Sequence, residues 1–475
     1  MLLIPRRSAP AADPRTGAAP TRAQPRGARR RAASTMAAFG LLASWVAAPG
    51  AATATTTPPA GQPADAEPTP IHGGPNFTHL PAPLSTAGCL ARYGIRCYQP
   101  RQLHAAYNLN PLYARGIDGR GVTIVIAVPF GSPTIRHDLR VFDQRFGLPD
   151  PDLRILRFGD IPPYDPQDLT RVEWAAGTTL QVESAHAIAP GADIVIAETA
   201  VSEEEGTSGF PELMQAEQSL INAGVGDVVA QIEGTGERTF PGFSAGDYSS
   251  LLGLRDAYRA AAAHHVTVLA VAGNSGGHTD STAGAVAWPS SDPLVTSVGG
   301  EQMYLDATGR RLRPDTTWND GFGGAGAGGV STVFPRPLYQ SGVADVVGGH
   351  RGVPDITMSA SVDGACWVYA SFGGTGGIGW DLFDGTGEAM SMFAGIVALA
   401  NQVAGHRLGL INPALYRLGE LSARGDRWTG LVDITQGNNS LGGAPGFDAV
   451  PGYDLATGWG TIDAAAFVPA LARMG

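Results

Sequence analysis

The 475-residue chain contains no lysine, so its Lys+Arg total of 32 consists entirely of arginines. It has three cysteines but no Cys-x-x-Cys pair or Cys/His cluster, so a zinc site is not expected. It also lacks the run of about 20 apolar residues that a membrane-spanning helix needs. The formal net charge is −11, and an acidic chain without a basic patch is a poor candidate for binding nucleic acid or an anionic membrane.

The first 54 residues are almost free of acids, since they carry eight arginines and only Asp13. An apolar run over 37–48 and the small residues 52–54 follow, which predicts a signal peptide, with Met36 as an alternative start. This leader has a net charge of +7, so the remaining chain carries about −18. The segment 55–87 is rich in Pro, Thr and Ala and is interpreted as a linker, and 88–475 as one domain. We therefore expect an exported protein.

The three cysteines divide into a pair and a single residue. Cys89 and Cys97 are close in sequence at the start of the folded part, so an exported protein could join them in a small loop. Cys366 then remains, and we expect it to be a buried apolar side chain.

Short apolar, β-branched runs alternate with helical stretches along the middle of the chain. This alternation favours an α/β fold with a largely parallel sheet and helices on both faces. The predicted strands are 121–128, 193–198, 227–232, 267–272 and 295–299, and the predicted helices are 133–146, 173–189 and 248–264.

Residues 384–402 combine a glycine turn with a long helix whose apolar residues recur at 3.6-residue spacing. No Asp, Glu or Arg lies between Glu388 and Arg407, which predicts a helix buried on nearly all sides. A turn entering such a helix aims backbone N–H groups at whatever lies before it, which favours anions and oxyanions.

This stretch resembles the nucleophile segment of the sedolisin family of serine-carboxyl peptidases, whose pattern is SGTS-x-x-x-P-x-x-AG. Gly387 stands where the family has its nucleophilic serine. Asp384 stands for the first serine and Ser391 for the proline, while Gly385, Thr386, Ala394 and Gly395 match. Segments 131–134, 185–191, 331–337 and 351–355 extend the resemblance, which covers about 97–462. It implies a subtilisin-like three-layer α/β sandwich with a largely parallel central sheet flanked by helices.

The resemblance also identifies the other catalytic positions. The family uses a Glu as general base and an Asp behind it, because imidazole would be protonated in acid. Gly177 stands for that Glu, Gln181 for the Asp, and Asn274 for the Asp near the oxyanion. The base, its partner and the nucleophile at Gly387 are therefore predicted to be missing, while Asn274 could still donate to an oxyanion.

Other residues could in principle supply a catalytic set. Glu173 and Glu183 lie near the lost acids, and Ser391 lies one turn beyond Gly387. We favour a Ser391 hydroxyl that bonds to its own helix backbone, and a structural role for His186.

The resemblance further implies one calcium ion near the C-terminus. Its ligands would be the side chains of Asp433 and Asp454 and the carbonyl oxygens of Ile434, Val450 and Gly452. Calcium accepts six to eight oxygen ligands, including backbone carbonyls and water. The alternative is a Gly/Asp turn without an ion.

The sequence thus predicts a secreted, monomeric pseudopeptidase that binds a peptide or protein in a residual cleft, with no nucleic acid and no membrane anchor. The alternative is an active serine-type endopeptidase that uses non-standard catalytic residues. A purely structural role is a third possibility.

Overall fold

The computed structural model describes residues 76–203, 209–279, 282–283, 285–374 and 377–475. The predicted leader and the linker up to residue 75 lie outside the described residues. Within the part that is described, no helix is both long enough and apolar enough to cross a membrane.

Strands and helices alternate over much of the described chain. In chain order, the strands are β1 (Asn76–Leu80), β2 (Cys97–Tyr98), β3 (Thr123–Pro129), β4 (Leu153–Phe158), β5 (Asp193–Thr199), β6 (Val228–Gln231), β7 (Thr235–Gly236), β8 (Thr267–Val271), β9 (His278–Thr279), β10 (Thr282–Ala283), β11 (Ala287–Trp288), β12 (Thr296–Gln302), β13 (Thr316–Thr317), β14 (Gly329–Pro335), β15 (His350–Val353), β16 (Ile356–Ser359), β17 (Ala365–Ala370), β18 (Gly379–Phe383), β19 (Leu431–Val432) and β20 (Thr461–Ile462). The helices are α1 (Thr86–Tyr93), α2 (Pro100–Ala106), α3 (Asn110–Tyr113), α4 (Ile135–Phe146), α5 (Leu169–Ile188), α6 (Phe210–Asn222), α7 (Ser249–Leu252), α8 (Asp256–Ala263), α9 (Ala344–Val347), α10 (Thr386–Ala404), α11 (Asn412–Ala423) and α12 (Ala464–Met474).

The central sheet has eight strands in the order β13-β12-β8-β6-β3-β5-β4, with β16 also paired to β12. The pair β12–β13 is antiparallel, and the other pairs in this sheet are parallel. The predicted largely parallel sheet is therefore confirmed.

Strand β3 shows why helices cover both faces of this sheet. Successive side chains of a strand point to opposite faces. Ile124 and Ile126 pack in the core that contains α5, α10, α11 and α12. Val125 and Ala127 pack on the other face, in the core with α6 and α8. Since both sets are buried, the strand is apolar throughout, and the predicted three-layer sandwich is confirmed.

One predicted helix is divided in the structure. Residues 248–264 were expected to form a single helix, but α7 ends at Leu252 and α8 begins at Asp256. Gly253 is the C-terminal cap of α7, and glycine is a poor residue for a helix interior.

The predicted linker is shorter than expected at its C-terminal end. A second sheet has the order β1-β18-β17-β2, so residues 76–87 contain a paired strand and the start of α1. The fully buried carboxylate of Asp381 on β18 explains why β1 is held there, because it accepts the backbone N–H groups of Thr78 and His79, the latter at 2.7 Å. The folded domain therefore begins before residue 88.

A disulfide joins Cys89 on α1 to Cys97 on β2, which confirms that these two cysteines pair. Cys366 is a free, buried cysteine, as predicted. The disulfide ties α1 to the second sheet, because β2 pairs with β17 there.

Candidate functional site

Helices α5 and α10 lie unusually close together because α10 presents a glycine to α5. A Cβ atom on Gly395 would lie 2.7 Å from the Cβ of Ile188 and 3.1 Å from the carbonyl oxygen of Ala185. A side chain at this position would push the helices apart. The two helices are therefore in direct contact at Gly395.

Gly177 and Gly387 face the same apolar side chain, Ile232, which follows strand β6. A Cβ on Gly177 would lie 2.8 Å from Cδ1 of Ile232, and one on Gly387 would lie 3.4 Å from its Cγ2. Leu180 closes the remaining side, with Cδ2 at 3.6 Å from the same point at Gly387. The structure thus brings together the two positions singled out in the sequence, and carbon atoms lie between them.

Gln181, one turn beyond Gly177, is fully buried on α5. Its Oε1 and Nε2 have no hydrogen-bond partner within the described residues. A buried amide that forms no hydrogen bond costs stability, on the order of 1–3 kcal/mol. The position therefore keeps a polar group that destabilises the fold.

Asn274 lies against the start of α10. Its Oδ1 accepts two hydrogen bonds at 2.9 Å from Thr386, one from the backbone N–H and one from the hydroxyl. The Thr386 hydroxyl oxygen in turn accepts the N–H of Gly273 at 3.3 Å. Since Oδ1 is engaged by Thr386, the Nδ2 group of Asn274 is the part of the amide that can donate to a ligand.

The hydroxyl of Ser391 is directed into its own helix. Its Oγ donates to the carbonyl oxygen of Gly387 at 2.7 Å, and the residue is buried. This is the backbone bond that the sequence predicts for this serine.

The acids and the histidine considered as replacements face other elements. Oε2 of Glu183 accepts the N–H of Tyr369 on β17 at 2.9 Å, and burial raises its pKa well above the usual value. His186 has its Nε2 at 2.9 Å from the carbonyl oxygen of Pro149 and at 3.1 Å from Oδ1 of Asp143. Glu173 is partly exposed in the N-terminal part of α5.

Two buried acids, Glu217 and Glu233, lie near Ile232. Glu233 is the next residue, and the Gln231 amide nitrogen donates both to Glu233, at 3.4 Å, and to Glu217 on α6. Burial raises the pKa of Glu233 to about 8 and that of Glu217 well above its usual value. This pair is not among the residues predicted from the sequence, although Gln231-Ile232-Glu233 places two polar residues at the end of a buried strand.

The two loops that carry the predicted calcium ligands meet in the structure. The Gly452 N–H donates to Oδ2 of Asp433 at 2.8 Å, and the Val450 N–H donates to Oδ2 of Asp454 at 2.9 Å. Burial raises the pKa of both carboxyl groups, that of Asp454 to about 6. The described residues contain no cluster of three or more His, Cys, Asp or Glu side chains that could hold a metal. An ion here would therefore depend on backbone carbonyls such as that of Ile434.

Known proteins resemble the chain in both sequence and fold. No family model matches it. Kumamolisin of Bacillus sp. (strain MN-32) is 36% identical over 224 residues, which cover 45% of this chain and 38% of that protein. Sedolisin of Pseudomonas sp. (strain 101) is 32% identical over 197 residues, 40% of this chain and 31% of that protein. The chain belongs to the sedolisin family.

The solved structures agree on the fold of this sedolisin relative. Pseudomonas sedolisin, a serine-carboxyl proteinase solved with two molecules of pseudo-iodotyrostatin, superposes with a TM-score of 0.65 at 24% identity. The superposition covers 79% of this chain and 97% of that one. The sequence matches are shorter, and they span less than two fifths of the curated relatives' own length.

The buried amide of Gln181, which has no hydrogen-bond partner within the described residues, provides a test of stability. Replacing Gln181 by Met should stabilise the protein by about 1–2 kcal/mol, because an apolar side chain of similar size removes the unpaired buried amide. The measurement is the free energy of unfolding in urea. Gln340→Met is the matched control, because the buried Gln340 amide donates to Gly352 O and Tyr416 Oη, and its loss should destabilise. Equal effects of the two substitutions would contradict the assignment.

The buried acid pair predicts how stability depends on pH. The folded pKa of Glu233, about 8, lies above its ordinary value of 4.5. Below about pH 4.5 the carboxyl is protonated in both states, and its contribution to stability is complete. As pH rises towards about 8, only the unfolded chain ionises, so stability falls by up to about 1.4 kcal/mol per pH unit for each proton. Denaturation in urea at several pH values should show this fall.

Glu233→Gln should reduce that pH slope, whereas Glu420→Gln should leave it unchanged, because the partly exposed Glu420 carboxylate forms an ion pair with Arg417. A slope that is the same in Glu233→Gln and in the unaltered protein would rule out the pair as its source.

Proposed function

We propose that the chain is an exported, non-catalytic member of the sedolisin family that binds a peptide or protein in the cleft between α5, α10 and the end of β6. The observation that supports it most strongly is the shared contact of Gly177 and Gly387 with Ile232. At these two positions a serine peptidase of this family would need its base and its nucleophile.

The chemistry of the replaced groups supports the loss of proteolysis. A serine nucleophile must lie within about 2.6–3.2 Å of a base that takes its proton. Gly387 has no side chain, and the neutral amide of Gln181 is not a base. Asn274 can donate a hydrogen bond, but it provides no nucleophile. When such a unit is removed, roughly 10³–10⁴-fold acceleration over water survives from the remaining groups, far below that of a working peptidase.

Binding is supported by the groups that remain in the cleft. The N-terminal end of α10 offers the positive end of the helix dipole. The Asn274 amide is held beside it by Thr386. A peptide carbonyl or carboxylate at this end of α10 would meet the Nδ2 group of Asn274 as a hydrogen-bond donor.

Export rests on the sequence of the leader and on the disulfide. An arginine-rich segment followed by a short apolar run is typical of a signal peptide. The disulfide between Cys89 and Cys97 is of a kind that persists in oxidising compartments.

The proposed function is tested by an activity assay across acidic to neutral pH. The purified protein should not cleave unfolded protein substrates, and reagents that trap an activated serine should not label it. Ser391→Ala is the variant that separates the alternatives. Turnover that this substitution abolishes would establish the working endopeptidase instead.

Restoring the family's catalytic side chains tests whether the surrounding backbone still has the geometry that catalysis needs. Gly177→Glu, Gln181→Asp, Asn274→Asp and Gly387→Ser belong together, because groups that act as a unit are strongly non-additive. Ile232→Ala should accompany them, since a side chain at Gly177 would contact Ile232 at 2.8 Å. Gly387→Ser alone is the control, because a serine without a base is a weak nucleophile. If the combined variant cleaves substrate and Gly387→Ser alone does not, the absence of proteolysis is attributable to these residues.

We also propose that the loops 433–434 and 450–454 bind one calcium ion through Asp433 and Asp454. Neither carboxylate forms an ion pair with an arginine in the described part of the chain. A buried carboxylate, that of Asp454, and the exposed carboxylate of Asp433, neither paired with an arginine, fit a hard cation with oxygen ligands. The carbonyls of Ile434, Val450 and Gly452 would complete the protein's share of the ligands.

Removing calcium should lower the melting temperature. At a hundred times its Kd a ligand stabilises the folded state by about 2.7 kcal/mol, so a chelator should remove a stabilisation of that order. Asp454→Ala should abolish the sensitivity to chelator. Asp448→Ala, in the same loop region but outside the ligand set, should retain it. Identical melting curves with and without chelator, on protein checked to be metal-free, would remove the calcium site.

A further inference from the structure

A cavity of about 310 Å³ opens where strands β3, β4 and β5 end. Its lining residues come from the turn after β3, the last residues of β4 and β5, the loop 161–164 and the first turn of α5. The carboxyl ends of parallel strands are where α/β proteins commonly bind ligands. None of the residues at the four sedolisin catalytic positions lines it, so this is a site apart from the cleft discussed above.

The floor of the cavity holds a buried carboxylate that orients an arginine. The Glu198 side chain is 2% exposed, and its Oε2 accepts the Nε–H of Arg157 at 2.9 Å. The Arg157 side chain is 68% exposed and is held through Nε. The fork formed by its two terminal nitrogens is therefore available to a further acceptor.

The wall of the cavity is an aromatic surface fixed by a second arginine. The guanidinium of Arg171 lies 4.2 Å from the centre of the Phe130 ring and donates to the carbonyl oxygen of Pro162 at 3.0 Å. It also lies near Asp168, with Nε 3.7 Å from Oδ2. Arg171 thereby ties the loop 161–164 to the first turn of α5, and Tyr164 from that loop adds a second ring.

We propose that this cavity binds a carboxylate carried on an apolar body, such as the free C-terminus of a peptide that ends in an apolar residue. The Arg157 fork matches the two oxygens of a carboxylate, and the rings of Phe130 and Tyr164 face the body of the ligand. The cavity volume lies at the small end of the range for ligand sites, about 300–1,000 Å³, which suits one or two residues.

The charge of the chain makes such a site selective. With a formal net charge of −11, the protein as a whole repels anions. Two guanidinium groups line the cavity, and since Arg171 lies beside Asp168, the group that can meet an anion is the exposed fork of Arg157. The proposal does not depend on loss of proteolysis, because a working peptidase would present the same cavity.

Binding is measured by isothermal titration calorimetry on the full-length protein with three probes. They are N-acetyl-Ala-Phe with a free carboxylate, its C-terminal amide, and N-acetyl-Glu-Phe amide, whose carboxylate is on a side chain. The free acid should bind at least about tenfold more tightly than N-acetyl-Ala-Phe amide, because a charge-assisted pair is lost. Binding of the Glu probe as tight as that of the free acid would support the carboxylate site and assign it to acidic side chains.

Three variants locate the interaction. Arg157→Gln should weaken binding of the free acid to the level of the amide. Arg157→Lys should weaken it in part, since lysine keeps the charge but not the fork. Arg154→Gln is the matched control, because Arg154 is an exposed arginine on the same strand and, three residues away, points to the opposite face. Unchanged thermal melting verifies that each variant is folded.

The proposal is overturned if the acid and both amides bind equally, if none of them binds at millimolar concentration, or if Arg154→Gln weakens binding as much as Arg157→Gln. The first result would mean that only the apolar body is recognised, and the last that the overall charge is responsible. None of these results would bear on the absence of proteolysis, which the activity assay decides separately.

Discussion

The approach of α10 to α5, allowed by Gly395, is the constraint on which the site depends. A Cβ there would meet both the side chain of Ile188 and the backbone of Ala185. Because the backbone cannot yield as a flexible side chain can, the two helices are held in contact at this point. Nearer the start of α10, Gly177 and Gly387 both face Ile232, so two glycines and one isoleucine lie at the buried centre of the candidate site.

Buried charges in this chain are handled in two ways. Arg351 and Asp355 are fully buried and form a two-pronged pair at 2.8 and 2.6 Å, and Tyr416 also donates to that carboxylate. A chain without lysine has only the guanidinium for such pairs, and its planar fork suits them. Glu217 and Glu233 form no ion pair with an arginine of the described residues and share a Gln amide instead. Since desolvation favours their neutral form, these two carboxyl groups contribute more to stability at acidic than at neutral pH.

The sequence was sufficient for features that depend on local pattern. Continuous apolar runs located β3, β5 and β8, because strands buried on both faces leave no polar alternation. It was insufficient where residues far apart in the chain meet. Asp381 accepts hydrogen bonds from β1, which lies about 300 positions earlier in the chain. Composition alone assigned β1 to a linker. Ile232 gave no sign of lying between Gly177 and Gly387, because its neighbours in space come from three separate elements.

The four positions that the resemblance assigns to catalysis differ in the polar groups they carry, and the differences have a physical logic. Gly177 and Gly387 have no side chain, so Ile232 packs against both positions without meeting a charged group. Gln181 keeps an amide without a hydrogen bond, which is a cost that an apolar residue would avoid. Asn274 keeps an amide that is bonded to Thr386 and so holds the start of α10. Among these four positions, Asn274 is therefore the one whose polar group contributes to the fold, because its hydrogen bonds to Thr386 fix the start of α10.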